Sequence, residues 1–130
     1  MSAHRVQTRW GDLDALGHVG HTAVFLYLEA GRDAFLKAHG IARDEYVVGR
    51  CSVTFQREIM PSVEAVMVEC EARELGTSSV TTGERIVDEA GDVLVEAEFG
   101  IVLWDPAARG SRPISDQERA SLARSAEEVA

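Results

Sequence analysis

The sequence predicts an α+β domain in which a five-stranded antiparallel sheet wraps around one long central helix. Three observations predict it. The stretch Val24 to Leu36 repeats its apolar residues every three or four positions, as one face of a helix does. The segments on either side alternate every second residue, as half-buried strands do. The order along the chain is one strand, one helix, then four strands. A lone amphipathic helix must cover one face of such a sheet, and the sheet keeps open edges that a second copy of the chain can close.

The elements follow in order. His4 to Trp10 is the first strand, with Val6, Thr8 and Trp10 on its buried face. Gly11 to Gly20 is a loop, broken by three glycines and two aspartates. Thr22 is the expected N-cap of the helix, and Val24, Phe25, Leu28, Phe35 and Leu36 are its buried face. Gly31 falls on that face. A mid-helix glycine costs about 1 kcal/mol, so its presence implies a close approach to the sheet. Asp33 with Lys37 is an expected ion pair on the wet side, and Glu29 reads as a satisfied polar residue or as the partner of Arg32 in a salt bridge. His39 and Gly40 end the helix.

Cys51, Val53 and Phe55 then face inward, Pro61-Ser62 turns, and Val66, Val68, Cys70 and Ala72 face inward again. Gly76-Thr77-Ser78 is the next turn, Val80, Thr82 and Ile86 continue the pattern, and Asp88 to Asp92 is a hairpin loop in which Gly91 takes a positive φ. Val93 to Trp104 is the longest strand. Residues 1–106 thus form the domain, and 107–130 a tail. The tail holds a short polar helix from Ser115 to Val129, with Ser115 and Glu118 as a capping box and little apolar surface to dock it.

Composition narrows the function. With 45% hydrophobic and 27% charged residues the chain reads as an ordinary soluble protein. It shows neither a transmembrane stretch nor a signal peptide, so a cytoplasmic, membrane-free location is the default expectation. The net charge of −9 argues against a nucleic-acid partner. Cys51 and Cys70 are expected to be buried, unreactive thiols, and His4 and His39 surface residues.

The chemistry concentrates in Trp10-Gly11-Asp12-Leu13-Asp14-Ala15-Leu16-Gly17-His18-Val19-Gly20-His21. Two carboxylates and two imidazoles crowd a glycine-rich loop that feeds a helix N-terminus. Helix starts present free N–H groups and partial positive charge, which suit an oxyanion. A carboxylate nearby can attack a carbonyl or activate water. Asp14 could equally close a turn in the loop; Asp12, Gly17 and His18 fit loop support; His21 is either a partner in the chemistry or a helix-start residue. His18-x-x-His21 with Asp12 and Asp14 also admits a metal-dependent hydrolase, although no second Cys/His cluster accompanies it. No cofactor is expected.

The run Arg9 to Val19, continuing into Tyr27-Leu28-Glu29-Ala30, resembles the opening of the 4-hydroxybenzoyl-CoA thioesterase family and of the similar Tol–Pal-associated acyl-CoA thioesterases. The resemblance is clear over residues 5 to 36; beyond them only strand order and turn placement match. It implies a hotdog fold and hydrolysis of an acyl-CoA or acyl-carrier thioester. It implies a homodimer at least, and a homotetramer by pairing of dimers, with sites at the dimer interface. Within the resemblance, Asp14 takes the place of the catalytic carboxylate, His21 that of a functional histidine, and the backbone amides near His21 and Thr22 that of the oxyanion hole. Asp12, Gly17, His18 and Glu29 would support the loop. Two positions depart from the pattern. Gly20 stands where relatives frequently have Asn. Gly76 to Ser79 lack the Arg or Lys that meets CoA phosphates in some relatives. The departures keep open a carrier-protein substrate and a non-catalytic protein that binds acyl thioesters.

Overall fold

The structure, a computed structural model, describes residues 2–60 and 63–129, with side chains up to Ser125. The turn expected at Pro61-Ser62 lies outside the described residues. The elements are β1 (Ser2–Gln7), a 3-10 turn (Trp10–Asp12), α1 (His21–Ala38), β2 (Tyr46–Phe55), β3 (Ala65–Leu75), β4 (Ser79–Val87), β5 (Val93–Asp105), β6 (Gly110–Ser111) and α2 (Asp116–Val129). Five long antiparallel strands run in the order β1-β3-β4-β5-β2, and the two-residue β6 extends β5 as a sixth. The α+β expectation therefore holds, with one short strand and a docked second helix added to it.

Helix α1 lies against β1, β3 and β4. Its buried residues are Ala23, Val24, Tyr27, Leu28, Gly31, Arg32, Phe35 and Leu36. Gly31 makes this contact possible. A Cβ there would stand 2.3 Å from Val68 Cγ1, inside van der Waals contact, so only glycine lets the helix ride so close to β3. The helix starts two residues earlier than expected. Gly20 is its N-cap and Thr22 lies within the first turn, exposed. Its far end is as expected, with Gly40 at φ +81 just beyond the His39 cap.

The far edge strand corrects several expectations. β2 is an edge strand flanked only by β5; its Tyr46 and Val53 pack against the core, but Cys51, expected inside, is exposed, while Cys70 on the covered β3 is buried. Phe25 on the helix and Val47, Val48 and Phe55 on β2 are exposed as well. At the other edge β1 ends at Gln7, and Trp10, now in a 3-10 turn, is 86% exposed. His4 and His39 are half-buried rather than superficial; the His39 ring packs on Phe35 and its Nδ1 lies 2.6 Å from Ser121 Oγ.

The tail also differs. Ser115 and Glu118 form the expected reciprocal cap, but α2 docks firmly, with Leu122 fully buried and Ile114 nearly so. One well-placed leucine gives a polar helix an anchor that its composition hides.

Candidate active site

The loop between β1 and α1 is built by its aspartates and glycines. Asp14 Oδ1 accepts the Leu16 N–H at 2.9 Å, the Asp14 N–H donates to the His18 carbonyl at 2.9 Å, and Gly17 takes φ +78 to allow the reversal. Asp12 works on the inner side. Its Oδ2 accepts from the Arg9 N–H and from the Tyr27 hydroxyl of α1, and its carbonyl accepts the Gly20 N–H at 2.9 Å. Burial first, and then the Asp12 carboxylate, push the Tyr27 phenol well above its usual range, so it stays a donor. The loop is thus tied to the helix it feeds.

The first intrahelical bond of α1 runs from the Val24 N–H to the Gly20 carbonyl, 3.1 Å. The amides of His21, Thr22 and Ala23 precede it, at the end where a helix has donors without internal acceptors. Gly20 sits hard against the aspartate: a Cβ on it would stand 3.3 Å from Asp14 Cβ and 3.8 Å from Asp14 Oδ2. The carboxylate and the helix start are therefore neighbours.

Asp14, His18 and His21 line one cavity of about 300 Å³, together with Val24, Phe55 and Glu58. Its walls are apolar where Val19, Val24, Ile59 and Val95 contribute, and polar at the loop. The Asp14 side chain is 35% exposed, and its Oδ2 lies 3.3 Å from His18 Nε2. His18 Nδ1 faces Glu58 Oε2 at 3.5 Å. This arrangement offers a carboxylate, an imidazole and helix-end amides around an open space, the set that acyl transfer needs.

The Thr22 side chain is exposed, and only its backbone amide belongs to the helix start. Glu29 falls elsewhere, on a second cavity of about 220 Å³ with Arg32, Asp33, Arg43 and Tyr46. Glu29 does not meet Arg32 as an ion pair. Arg32 turns inward, where its Nε and Nη2 donate to both oxygens of Glu84 at 2.8 and 3.0 Å, and Thr82 Oγ1 adds a third bond. Asp33 accepts from the Tyr46 hydroxyl. Among the described residues no group of three or more His, Cys, Asp or Glu side chains is placed to hold a metal ion, so the His18/His21 pair lacks the converging ligands of a zinc site.

Sequence reasoning missed Glu58, which arrives from the β2–β3 connection, and Arg119. Arg119 Nη2 donates to the Gly76 carbonyl at 2.8 Å, bringing a cation to the β3–β4 turn where the turn itself has none. Both meet their sites through tertiary contacts between distant segments, and no local spacing signals them.

The sequence profile of the thioesterase-like superfamily matches residues 8–123. The chain belongs to that superfamily. Among solved structures it is similar to a Thermus thermophilus thioesterase complexed with coenzyme A and zinc (25% identity, TM-score 0.84, 96% of this chain and 93% of that one). It is similar also to PA2801 of Pseudomonas aeruginosa, a protein assigned to the thioesterases (31%, 0.81, 92% and 95%). A Staphylococcus aureus protein in complex with CoA shares the fold alone (11%, 0.85, 96% and 83%). No curated protein matches the sequence. The hotdog chain is a thioester hydrolase. Among the described residues no helix is long and apolar enough to cross a membrane.

Proposed function

We propose that the chain hydrolyses an acyl-CoA to free acid and thiol, with Asp14 as its key carboxylate and the first amides of α1 as the oxyanion hole, in the manner of the 4-hydroxybenzoyl-CoA and Tol–Pal-associated thioesterases. The observation that carries this reading is the shared cavity at the helix start, where Asp14 lies beside Gly20 and the amides that follow it. The thioester carbonyl rests against those amides. By one route Asp14 takes a proton from water, whose oxygen bonds to the carbonyl carbon as the C–S bond breaks and the thiolate leaves. By the other an Asp14 oxygen attacks, the thiolate leaves, and water cleaves the resulting anhydride. Solvent labelled with heavy oxygen in a single turnover separates them, because only the anhydride route carries label into the Asp14 carboxylate. His21, on the cavity wall, is the second candidate for contact with substrate.

Coenzyme A in the Thermus and Staphylococcus relatives supports a CoA thioester over a carrier-protein one. Arg119 at the β3–β4 turn supplies the basic group that the turn residues lack. A second copy completes the assembly in this reading: β2 is an open edge whose Val47, Val48 and Phe55 are exposed, and Phe55 also lines the Asp14 cavity. Light scattering distinguishes the expected dimer or tetramer from a monomer, and Val48→Lys should break the edge pairing and the activity together.

The decisive test is thiol release across short, medium, long and aryl acyl-CoAs. Asp14→Asn should lower kcat by about 10²- to 10⁴-fold, the range a general base contributes, while remaining folded. A near wild-type rate in that variant removes Asp14 from the reaction. Tight acyl-CoA binding by the wild-type protein with no thiol released favours the non-catalytic reading.

A further inference from the structure

We propose that Glu58 is a positioning residue for Asp14 and that it acts through His18, an inference that rests on the role given to Asp14 above. The three side chains form a row along one cavity wall. His18 Nε2 is 3.3 Å from Asp14 Oδ2, and His18 Nδ1 is 3.5 Å from Glu58 Oε2. The backbone places Glu58 there. The Gln56 and Arg57 N–H groups both donate to the Leu94 carbonyl, at 2.9 and 3.0 Å, and Arg57 pairs with Asp92. On the other side, the Ile59 carbonyl accepts the Val19 N–H at 2.9 Å, and Ile59 is buried. Glu58 is thus held between a residue fixed to β5 and a residue fixed to the catalytic loop, next in sequence to His18's own neighbour's partner.

The second observation is His18 Nδ1 itself. It is shut off from solvent and makes no hydrogen bond of normal geometry. A buried ring nitrogen needs a partner, and Glu58 is the carboxylate that faces it. Closing the gap by a few tenths of an ångström makes the bond. Catalytic contacts in a site without substrate are often long in this way and tighten when substrate binds.

The row has a defined consequence. Glu58 fixes the ring plane from the Nδ1 side, the Nε2 side of the ring meets Asp14 Oδ2, and the Leu16 N–H donates to Oδ1. Asp14 is held at both oxygens, with its remaining lone pairs toward the cavity. Glu58 lies on the far side of the ring from Asp14 and is 60% exposed, so it touches Asp14 only by way of the imidazole. The other ionisable groups on this cavity are His21 and Arg57; neither stands between the two carboxylates.

The test is a double-mutant cycle read by thiol release, with circular dichroism as a fold check. Glu58→Ala should lower kcat by about tenfold, with KM changed less than about twofold, as expected for a misplaced reacting group. Glu58→Gln keeps an acceptor for Nδ1–H and should recover most of that loss. In a His18→Asn background Glu58→Ala should add nothing, because its effect has no other path. A kcat unchanged in Glu58→Ala overturns the inference, and so does a Glu58→Ala loss that persists without His18. A Glu58→Gln variant as slow as Glu58→Ala would mean that the carboxylate acts by its own proton chemistry, and also overturns it. Asp14→Asn separates the two readings. If that variant is inactive while Glu58→Ala is normal, only the positioning role falls; if it remains active, the role of Asp14 falls and this inference falls with it.

Discussion

Two charged clusters flank α1, and they differ in how completely they are satisfied. At its middle, Arg32 and Glu84 are almost fully buried, joined by two hydrogen bonds, with Thr82 on the carboxylate and the Phe99 ring 3.7 Å from the guanidinium carbon. Burial alone would draw the Arg32 proton off more easily, but the Glu84 hydrogen bond and charge more than reverse this, and Arg32 holds its proton above the usual range. At the start of the helix, Asp14, His18 and Glu58 are part-exposed, their contacts are long, and one ring nitrogen is unsatisfied. The first cluster is buried and closely bonded, and it fastens the helix to β4. The second keeps capacity for a ligand. A satisfied ion pair belongs to structure and an unsatisfied one to chemistry, and the two can be told apart by what their loss does.

The largest effect should come from breaking the closed cluster. Glu84→Ala leaves a buried guanidinium unpaired and should cost about 3–5 kcal/mol, much of the roughly 5–15 kcal/mol that holds a domain of this size together. A urea unfolding curve measures it. Replacing both partners, Arg32→Met with Glu84→Leu, should be near neutral or stabilising, since the desolvation of both charges disappears with them. A double variant as unstable as the single one would mean that the pair is needed for more than mutual neutralisation. Asp14→Asn is the counterpart: turnover collapses while the urea midpoint hardly moves.

A smaller effect probes the surface between the clusters. Gly31→Ala gains about 1 kcal/mol of helix propensity but forces a methyl into Val68. Overpacking of this kind costs about 1–3 kcal/mol, so the variant should be less stable on balance by unfolding midpoint. A gain in stability would show that α1 can lift from β3 at no cost.

The period of apolar residues made the helix and most strands legible, and the Asp14 loop was legible as a motif. Position within the sheet was not. Alternation says that Cys51 and Phe55 share a face with Val53, but not that β2 is an edge strand on which Val53 is partly buried while Cys51 and Phe55 are exposed. The same period, followed strictly from Thr82 to Ile86, points Glu84 inward, although Glu84 was not among the residues singled out. Arg32 reads in the sequence as one option for a partner of Glu29, whereas it turns inward to Glu84. Glu58 and Arg119 carried no local signal, because folding alone brings them to His18 and Gly76.

The C-terminal helix holds a third ion pair, intermediate between the two clusters, and gives the smallest expected effect. Glu118 binds Arg112 through both oxygens, at 2.8 and 2.9 Å, and accepts the Ser115 N–H at 2.9 Å. The Arg112 hydrogen bonds, and secondarily those of the Ser115 cap, hold its carboxyl below its ordinary 4.5 against the opposing pull of burial. A depressed folded value means that the ionised form favours the fold. The contribution is complete above pH 4.5, where the unfolded chain is also ionised, and is lost as pH falls through the lower folded value. A cap of this kind is worth about 1 kcal/mol. Glu118→Gln should therefore lower the urea midpoint at pH 7 by a modest amount, and the two proteins should converge as the solution is acidified below 4.5. If the gap between them stays constant into strong acid, the side chain stabilises α2 by packing rather than by charge, and the cluster belongs with Leu122 as an apolar anchor rather than with the ion pairs.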